Sequence, residues 1–299
     1  MTGADQPVSG ILNIDKPPGM TSHDVVGRIR RASGQRRVGH AGTLDPLATG
    51  VLLVCVGQAT RVVEYLVPDF KEYLSRFRLG ITTDTYDSEG AIVRQNDANH
   101  VTRADIESGF ARFTGVIAQV PPMFSAIKHK GTPLYRYARS GEVVDRAPRQ
   151  VEIRTLRLVD WSPPEAEIWI ECSKGTYIRS LIHDLGQTLG CGAHMVALRR
   201  MAIGEFRLED SLALDEIERA FAADCAAEVL LPLDAALKGL PPVSVDAEGE
   251  RRILRGEAVP LGLEAHINLC RAYSSDGRLL AILRSAADGY WHPHKVLGR

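Results

Sequence analysis

Residues 39–50 read Gly-His-Ala-Gly-Thr-Leu-Asp-Pro-Leu-Ala-Thr-Gly, and an apolar run from Val51 to Val56 follows at once. The glycines permit tight bends or close approach of another segment, and Pro46 restricts Asp45 to extended conformations. The apolar run, which glycines bound on both sides, predicts a short buried strand. The segment therefore predicts a rigid loop that presents one carboxylate. That carboxylate is either a nucleophile in a site or an ordinary turn residue that bonds the backbone.

Patterns on either side of this loop predict a mixture of strands and helices. Thr21 or Ser22 is a suitable N-cap for a helix, and strict alternation over residues 72–81 predicts a half-buried strand. Further strands are predicted over 11–15, 151–159 and 168–172, and further helices over 58–67, 104–113 and after Gly175. Because strands and helices do not alternate strictly, the sequence predicts an α+β fold rather than a doubly wound sheet.

Proline and glycine positions predict the domain organisation. Leu240-Pro241-Pro242 predicts a boundary between a main domain of residues 1–240 and a small β-rich domain of residues 241–299. Prolines and glycines also interrupt a basic segment of about residues 121–149, which is predicted to be an inserted arm with a partial helix over 134–139. Residues 241–299 have short alternating stretches around a turn at 275–277 but no sharp signature.

Composition excludes several classes of protein. The longest strongly apolar run is too short to span a bilayer, and the first ten residues do not resemble a signal peptide, so a soluble, cytoplasmic protein is predicted. The five scattered cysteines and nine histidines lack the spacings of disulfide frameworks or metal sites. Without a P-loop or G-x-G-x-x-G motif, no nucleotide cofactor is expected. We therefore predict that the protein uses no metal and no cofactor.

Charge is segregated along the chain although its net value is only −1. Residues 25–44 contain five arginines and no acid, and a second basic stretch covers 128–149. Nine acids compensate between residues 205 and 234. Such segregation predicts a surface that attracts nucleic acid, although each stretch alone is also compatible with a solvated arginine-rich face.

Residues 39–50 closely resemble the signature G-H-x-G-x-L-D-P-x-A-x-G of the TruB family of pseudouridine synthases, with Ala41 where many members have threonine. Other family motifs are matched in the right order, over about residues 10–205, by segments 16–24, 71–73, 121–126, 172–179 and 198–200. The resemblance implies the pseudouridine synthase fold, with a mixed, mainly antiparallel sheet flanked by helices. It also implies a PUA-like RNA-binding domain at residues 241–299 and a thumb-like role for the arm.

The resemblance also implies roles for individual residues. Asp45 is similar to the family's nucleophilic aspartate, Arg179 to the arginine that pairs with it, and Tyr73 to the tyrosine that stacks on the flipped uracil. Tyr177 and Leu198 are similar to residues that enclose the base. A free carboxylate is already ionised at neutral pH, and a guanidinium suits its partner because it stays charged and binds a carboxylate at two points.

The implied activity is isomerisation of the T-loop uridine of tRNA, at position 55, to pseudouridine. Flipping a base costs a few kcal/mol, and one aromatic stack returns about 1–3 kcal/mol, so further contacts are needed. By resemblance His40 fills the gap in the RNA, and Lys16, Lys128, Lys130 and Arg136 are expected to bind the substrate. The residues leave open whether Asp45 attacks ribose C1′ or uracil C6.

Three other functions share part of this pattern. A non-catalytic RNA-binding or tRNA-folding chaperone would share the basic surface but would not need Asp45, Tyr73 and Arg179 together. A carboxylate glycosidase usually needs a second acid, and none accompanies Asp45. A guide-RNA-dependent relative is disfavoured by the arm and the short C-terminal part. We therefore expect a monomer that binds tRNA and requires neither a protein partner nor a membrane.

Overall fold

Strands dominate the computed structural model, which describes residues 8–66, 70–264 and 266–298. In chain order the strands are β1 (Gly10–Lys16), β2 (Val38–Ala41), β3 (Thr49–Val56), β4 (Phe70–Leu79), β5 (Ile81–Thr83), β6 (Ile92–Gln95), β7 (Gly115–Gln119), β8 (Lys128–His129), β9 (Thr132–Pro133), β10 (Arg149–Ser162), β11 (Glu165–Ser173), β12 (Ala193–Ile203), β13 (Phe206–Arg207), β14 (Leu212–Ala213), β15 (Pro242–Ser244), β16 (Leu269–Tyr273), β17 (Leu279–Ser285) and β18 (Trp291–Val296). The α-helices are α1 (Ser22–Ser33), α2 (Arg103–Gly109), α3 (Leu134–Arg139), α4 (Ile178–Thr188), α5 (Leu214–Ala222), α6 (Ala226–Val229) and α7 (Ala247–Arg255). Segments Gly57–Leu66, Phe110–Arg112 and Leu233–Leu237 are 3-10 helices. No helix in these residues is both long and apolar enough to cross a membrane.

One large sheet organises the main part of the chain, in the order β14-β1-β3-β12-β4-β11-β10-β7, with β2 added on β3 and β13 on β12. Strand β1 pairs parallel with β14, and β3 pairs parallel with β12. The remaining pairs along this path are antiparallel. The predicted α+β fold with a mixed, mainly antiparallel sheet is therefore confirmed.

Strand β3 is an interior strand of this sheet and is covered on both faces. Leu52 and Val54 belong to a core cluster that includes residues of α1, α4 and α5. Val51 and Leu53 point to the opposite face and pack with the 3-10 helix Gly57–Leu66. All four side chains are fully buried. Burial on both faces explains why this segment is a continuous apolar run rather than an alternating one.

Local signals account for the two helices nearest the predicted loop and arm. Thr21 caps α1, and Asp24 completes a capping box. Helix α1 ends at Gly34, whose φ of 64° favours glycine. In the arm, Lys130 and Gly131 both have positive φ values, as a tight turn between β8 and β9 requires. Helix α3 then covers residues 134–139, as predicted.

Two predicted helices differ in the structure. The segment predicted over 58–67 is a 3-10 helix over Gly57–Leu66, and Val67 lies outside the described residues. The helix predicted over 104–113 divides into α2 and a 3-10 turn over Phe110–Arg112. The amphipathic pattern predicted for 104–113 does place Ile106 and Phe110 in the core.

The C-terminal part of the chain forms a separate four-stranded sheet in the order β15-β16-β17-β18. It has its own core cluster, in which Ile253 of α7 packs with Trp291. On its other side, Ile282 and Leu297 join the core cluster behind β3. Lys295 also forms an ion pair of 2.9 Å with Glu64. The small sheet is therefore docked on the main part of the chain by apolar contacts and by an ion pair with the 3-10 helix Gly57–Leu66.

Candidate active site

The loop that carries Asp45 is fixed from behind by Arg200 of β12. Arg200 is fully buried, and its guanidinium donates hydrogen bonds to the carbonyls of Val51 at 2.7 Å, Gly42 at 3.0 Å and Thr43 at 3.4 Å. Gly50 closes the loop with a φ of 96°, and a β-carbon there would lie 2.2 Å from the Arg200 carbonyl oxygen. Only glycine fits at this position, which explains the last glycine of the predicted loop.

Asp45 is held by a two-point ion pair with Arg179, the second residue of α4. The guanidinium Nε lies 2.9 Å from Oδ2 of Asp45, and Nη2 donates a hydrogen bond of 3.1 Å to Oδ1. The Arg179 side chain is only 6% exposed, whereas that of Asp45 is 34% exposed. The Nε contact is an ion pair without hydrogen-bond geometry, so the bond from Nη2 is the one that orients the carboxylate. The carboxylate therefore has a set orientation but remains accessible.

Asp87 is a second carboxylate on the same guanidinium, and no motif in the sequence pointed to it. Its Oδ2 lies 3.4 Å from Nη1 of Arg179, and its side chain is 5% exposed. Arg179 also donates to the carbonyls of Thr85 at 3.1 Å and Phe124 at 2.8 Å. The only local signal was an acidic turn after β5, which does not reveal a partner on a distant helix.

A stacked pair of rings supports the turn that presents Asp87. Tyr86 has a φ of 65°, which is strained for a bulky side chain. Its ring stacks on His183 of α4 with 3.8 Å between the centroids, and its carbonyl accepts a hydrogen bond of 3.0 Å from the amide of Met195. Because strained backbone persists only where its surroundings fix it, these contacts determine where Asp87 lies.

The loop, β4, β12 and the start of α4 enclose a cavity of about 260 Å³. Tyr73 and Leu198, both 7% exposed, belong to the neighbouring strands β4 and β12. Gln119 of β7 exchanges two hydrogen bonds with the backbone of Tyr177, at 2.8 and 3.1 Å. Residues that line the cavity are Thr43, Leu44, Asp45, Lys71, Tyr73, Ser125, Ala126, Ser173, Gly175, Thr176, Tyr177, Ile178, Arg179 and Leu198. The fold thus brings together Asp45, Tyr73, Arg179, Tyr177 and Leu198.

Electrostatics in the cavity follow from burial and from the ion pair. Burial raises the pKa of the Asp45 carboxyl, while the positive charges of Arg179 and Lys16 oppose that rise. Burial also raises the pKa of the Tyr73 hydroxyl, so the phenol is neutral at physiological pH. The site can therefore present one oriented carboxylate oxygen beside a neutral aromatic ring. Such an arrangement suits nucleophilic attack on a stacked ring or its sugar.

Two predicted substrate contacts lie elsewhere. Lys16 is fully buried behind the loop, and its Nζ donates to the carbonyls of Pro17 at 2.8 Å, Met20 at 2.6 Å and Pro46 at 3.2 Å. His40 lies on β2, half-buried, and burial lowers its pKa. Neither residue lines the cavity. The structure gives Lys16 a place as a support of the loop, and substrate contact by either residue stays a prediction.

The arm presents its basic residues to solvent. Lys128, Lys130 and Arg136 are exposed, and Leu134 anchors α3 with 2% exposure. The base of the arm is tied to the cavity, because Ser125 accepts a backbone hydrogen bond of 3.1 Å from Tyr135. The arm therefore projects positive charge from the rim of the cavity.

The first basic stretch is partly neutralised by the fold. Arg28 of α1 forms ion pairs with Asp215, at 2.7 Å, and with Glu218 of α5. The acidic stretch, distant in sequence, thus packs on the basic one. Arginines that remain exposed at this end of α1 are Arg30, Arg31, Arg36 and Arg37. The part of the predicted basic surface that residues 25–44 supply is therefore confined to the end of α1 and the turn after it.

Comparison with known proteins gives consistent matches over nearly the whole chain. Residues 30–178 match the family model described as TruB family pseudouridylate synthase, N-terminal domain. Residues 179–238 match the model for the tRNA pseudouridylate synthase B C-terminal domain. The chain is 45% identical to tRNA pseudouridine synthase B of Dehalococcoides mccartyi, covering 98% of this chain and 97% of that one. It is 41% identical to the Pseudomonas aeruginosa protein of the same name, covering 97% and 96%.

Solved structures share the fold. A structure of an H/ACA RNP bound to a substrate RNA containing 2'-deoxyuridine includes a chain with a TM-score of 0.73 and 26% identity, covering 97% of this chain and 85% of that chain. A Cbf5-Nop10-Gar1 complex includes one with a TM-score of 0.73 and 28% identity, covering 96% and 84%. The family models, the relatives at more than 40% identity and these structures all indicate the same family. The chain belongs to the TruB family of pseudouridylate synthases.

Proposed function

We propose that this protein isomerises the uridine at position 55, in the T-loop of tRNA, to pseudouridine, with Asp45 as the nucleophile. The observation that carries the proposal is the Asp45 carboxylate, fixed at two points by Arg179 and facing a cavity that Tyr73 also lines. Curated relatives that share 39–48% of their residues with this chain are named tRNA pseudouridine synthase B. The geometry and the family point to the same reaction.

The chemistry needs only groups that the chain supplies. The bond between uracil N1 and ribose C1′ breaks, the base turns, and a new bond joins C5 to C1′. The proton of C5 leaves, and N1 gains a proton, so atoms and electrons balance without a co-substrate. Asp45 stabilises the separated fragments by a covalent bond to one of them. Arg179 stabilises the negative charge of the Asp45 carboxylate in the partly buried cavity. Tyr73 and Leu198 hold the flipped ring.

RNA binding is assigned to three other parts of the chain. The arm, about residues 121–149, closes over the T-loop with Lys128, Lys130 and Arg136 on the phosphates. His40 fills the place of the flipped base. Residues 241–299, which have their own sheet and core cluster, act as a PUA-like RNA-binding domain. The arm and residues 241–299 would supply these RNA contacts from within one chain. We therefore propose that the protein acts as a cytoplasmic monomer without a protein partner.

Release of tritium from a T-stem-loop RNA that carries 5-³H-uridine tests the proposal, because the C5 hydrogen leaves during isomerisation. We expect Asp45→Asn to lower the rate more than about a thousandfold, equivalent to roughly 4 kcal/mol of barrier, while RNA affinity persists. Asp210→Asn, at an exposed aspartate outside the cavity, serves as the matched control and should react at the wild-type rate.

Two results would contradict the proposal. Retention of more than a thousandth of the rate by Asp45→Asn would show that another group is the nucleophile. Binding of the RNA by the wild-type protein with no release of tritium, and no pseudouridine by mass spectrometry, would favour the non-catalytic chaperone instead.

A further inference from the structure

Lys71 is a cation in the cavity wall, and none of the residues that the structure describes balances its charge. It lies on β4 two residues before Tyr73, so both side chains project from the same face of the strand. A β-carbon built on Gly42 would lie 3.2 Å from Nζ of Lys71, which places the ammonium directly over the loop that carries Asp45. Its position was not predicted from the sequence.

The neighbouring cations differ from Lys71 because each of them has hydrogen-bond or ion-pair partners. Lys16 and Arg200 each donate to three backbone carbonyls, and Arg179 contacts two carboxylates. Within residues 8–66, 70–264 and 266–298, Nζ of Lys71 forms neither a hydrogen bond nor an ion pair with any group. A half-buried ammonium without a partner is costly in free energy, so this position suits an anion that arrives with the substrate.

The charges around Lys71 also favour the binding of an anion at this position. Burial and the positive charge of Arg200 lower the pKa of Lys71 to about 8, Lys174 adds further repulsion, and only the thiol of Cys172 opposes them. The ammonium is therefore still mostly charged at neutral pH. No carboxylate of the described residues forms an ion pair with it, and Asp45, which lines the same cavity, is paired with Arg179.

Given the proposed function, on which this inference rests, the nature of the anion follows. The uracil and ribose of a uridine are neutral, so the negative groups that enter with the nucleotide are its flanking phosphates. We propose that Lys71 binds a phosphate that flanks the flipped uridine and so positions the nucleotide against Asp45. A charge-assisted contact of this kind is stronger than one between neutral groups.

The test combines protein and RNA changes. Stem-loop RNAs carry a neutral methylphosphonate in place of either the 5′ or the 3′ phosphate of the target uridine, and kcat/KM is measured with wild type, Lys71→Gln and Lys71→Arg. We expect Lys71→Gln to lose about tenfold or more on native RNA. The wild type should lose a similar factor on one of the two modified RNAs, and Lys71→Gln should lose nothing further on that RNA. Lys71→Arg should keep most of the activity.

Controls separate this role from a structural one. Lys238→Gln removes an exposed lysine paired with Glu205 at 3.0 Å and should lose the same factor as wild type on each modified RNA. Because the ammonium has no partner among the described residues of the free protein, Lys71→Gln should unfold at a temperature no lower than wild type.

The inference is overturned if methylphosphonate lowers kcat/KM of Lys71→Gln by as large a factor as it lowers that of the wild type, on both modified RNAs. The effects of the protein change and the RNA change would then be independent. The inference is also overturned by a loss in Lys71→Gln without any effect of methylphosphonate on the wild type, which would indicate contact with a uracil oxygen. Either result leaves the proposed function intact. Failure of wild type to convert native RNA would instead refute the proposed function and this inference with it.

Discussion

Replacing Arg179 by methionine should destabilise the protein strongly, because it leaves two carboxylates without their cation. Asp87 is 5% exposed and Asp45 is 34% exposed. Breaking a buried ion pair by removing one partner costs about 3–5 kcal/mol. Most of that cost belongs to Asp87, because solvent screens the charge of Asp45 in the open cavity. We therefore expect the free energy of unfolding at pH 7 to fall by about 4 kcal/mol, a large part of the 5–15 kcal/mol usual for a domain.

The size of this loss should depend on pH. Burial already raises the pKa of Asp45, and Arg179 opposes the rise. Without Arg179 the pKa rises further, so the carboxyl takes up a proton at a higher pH in the folded variant than in the unfolded chain. Protonation removes the unpaired charge. The part of the Arg179→Met deficit that belongs to Asp45 should therefore shrink as the pH falls from 7 towards 5.

Urea unfolding at pH 7 and pH 5 measures both effects. The double variant Arg179→Met/Asp87→Asn should recover part of the stability, since the buried unpaired charge is then gone. Arg207→Met is the matched control. Its exposed pair with Glu72 should contribute less than about 1 kcal/mol. The reasoning is refuted if Arg179→Met costs no more than Arg207→Met, or if Asp87→Asn recovers nothing.

Three further predictions concern the supports of the site. Gly50→Ala should lower the melting temperature sharply or prevent folding, because its β-carbon would meet backbone at 2.2 Å; Gly239→Ala, in open space, should melt like wild type. Tyr86→Asn keeps a residue tolerant of positive φ but removes the ring stack, so kcat should fall severalfold at an unchanged melting temperature. Tyr86→Phe should match wild type, and equal kcat in both variants would contradict the positioning role. Limited proteolysis should cut first within residues 126–149, and saturating tRNA should protect that site; equal cleavage with and without tRNA would argue against an RNA clamp.

Local signals were sufficient to predict much of the fold. The N-cap at Thr21, the alternation along β4 and the bounded apolar run of β3 each depend on neighbouring residues alone, and each predicted element is present. The order of strands could not be predicted in this way, because pairing of β4 with β11 and β12 is set by packing between distant segments. Strand β7 was missed because its exposed edge residues carry no inward-facing alternation.

The same distinction applies to the site. Asp45, Tyr73 and Arg179 lie in conspicuous motifs, and the fold brings them to one cavity. Asp87 and Gln119 were missed, since an acid in a turn and a glutamine on an edge strand have many ordinary uses. Their partners are 92 and 58 residues away in the chain, respectively, and only the three-dimensional fold reveals them. The motifs therefore predicted residues that the fold brings to one cavity, but not Asp87 and Gln119, which contact Arg179 and Tyr177 from distant segments.

The place of β4 in the sheet also matters while the protein is being made. This strand, which carries Tyr73, pairs with β11 on one side and β12 on the other, and both are synthesised long after it. A nascent chain that has not yet reached Ile203 cannot satisfy both edges of β4, and unpaired edges invite association with other chains. Because such non-local pairing is slow, the ribosome-bound intermediate should be the stage at which this protein depends most on protection from aggregation.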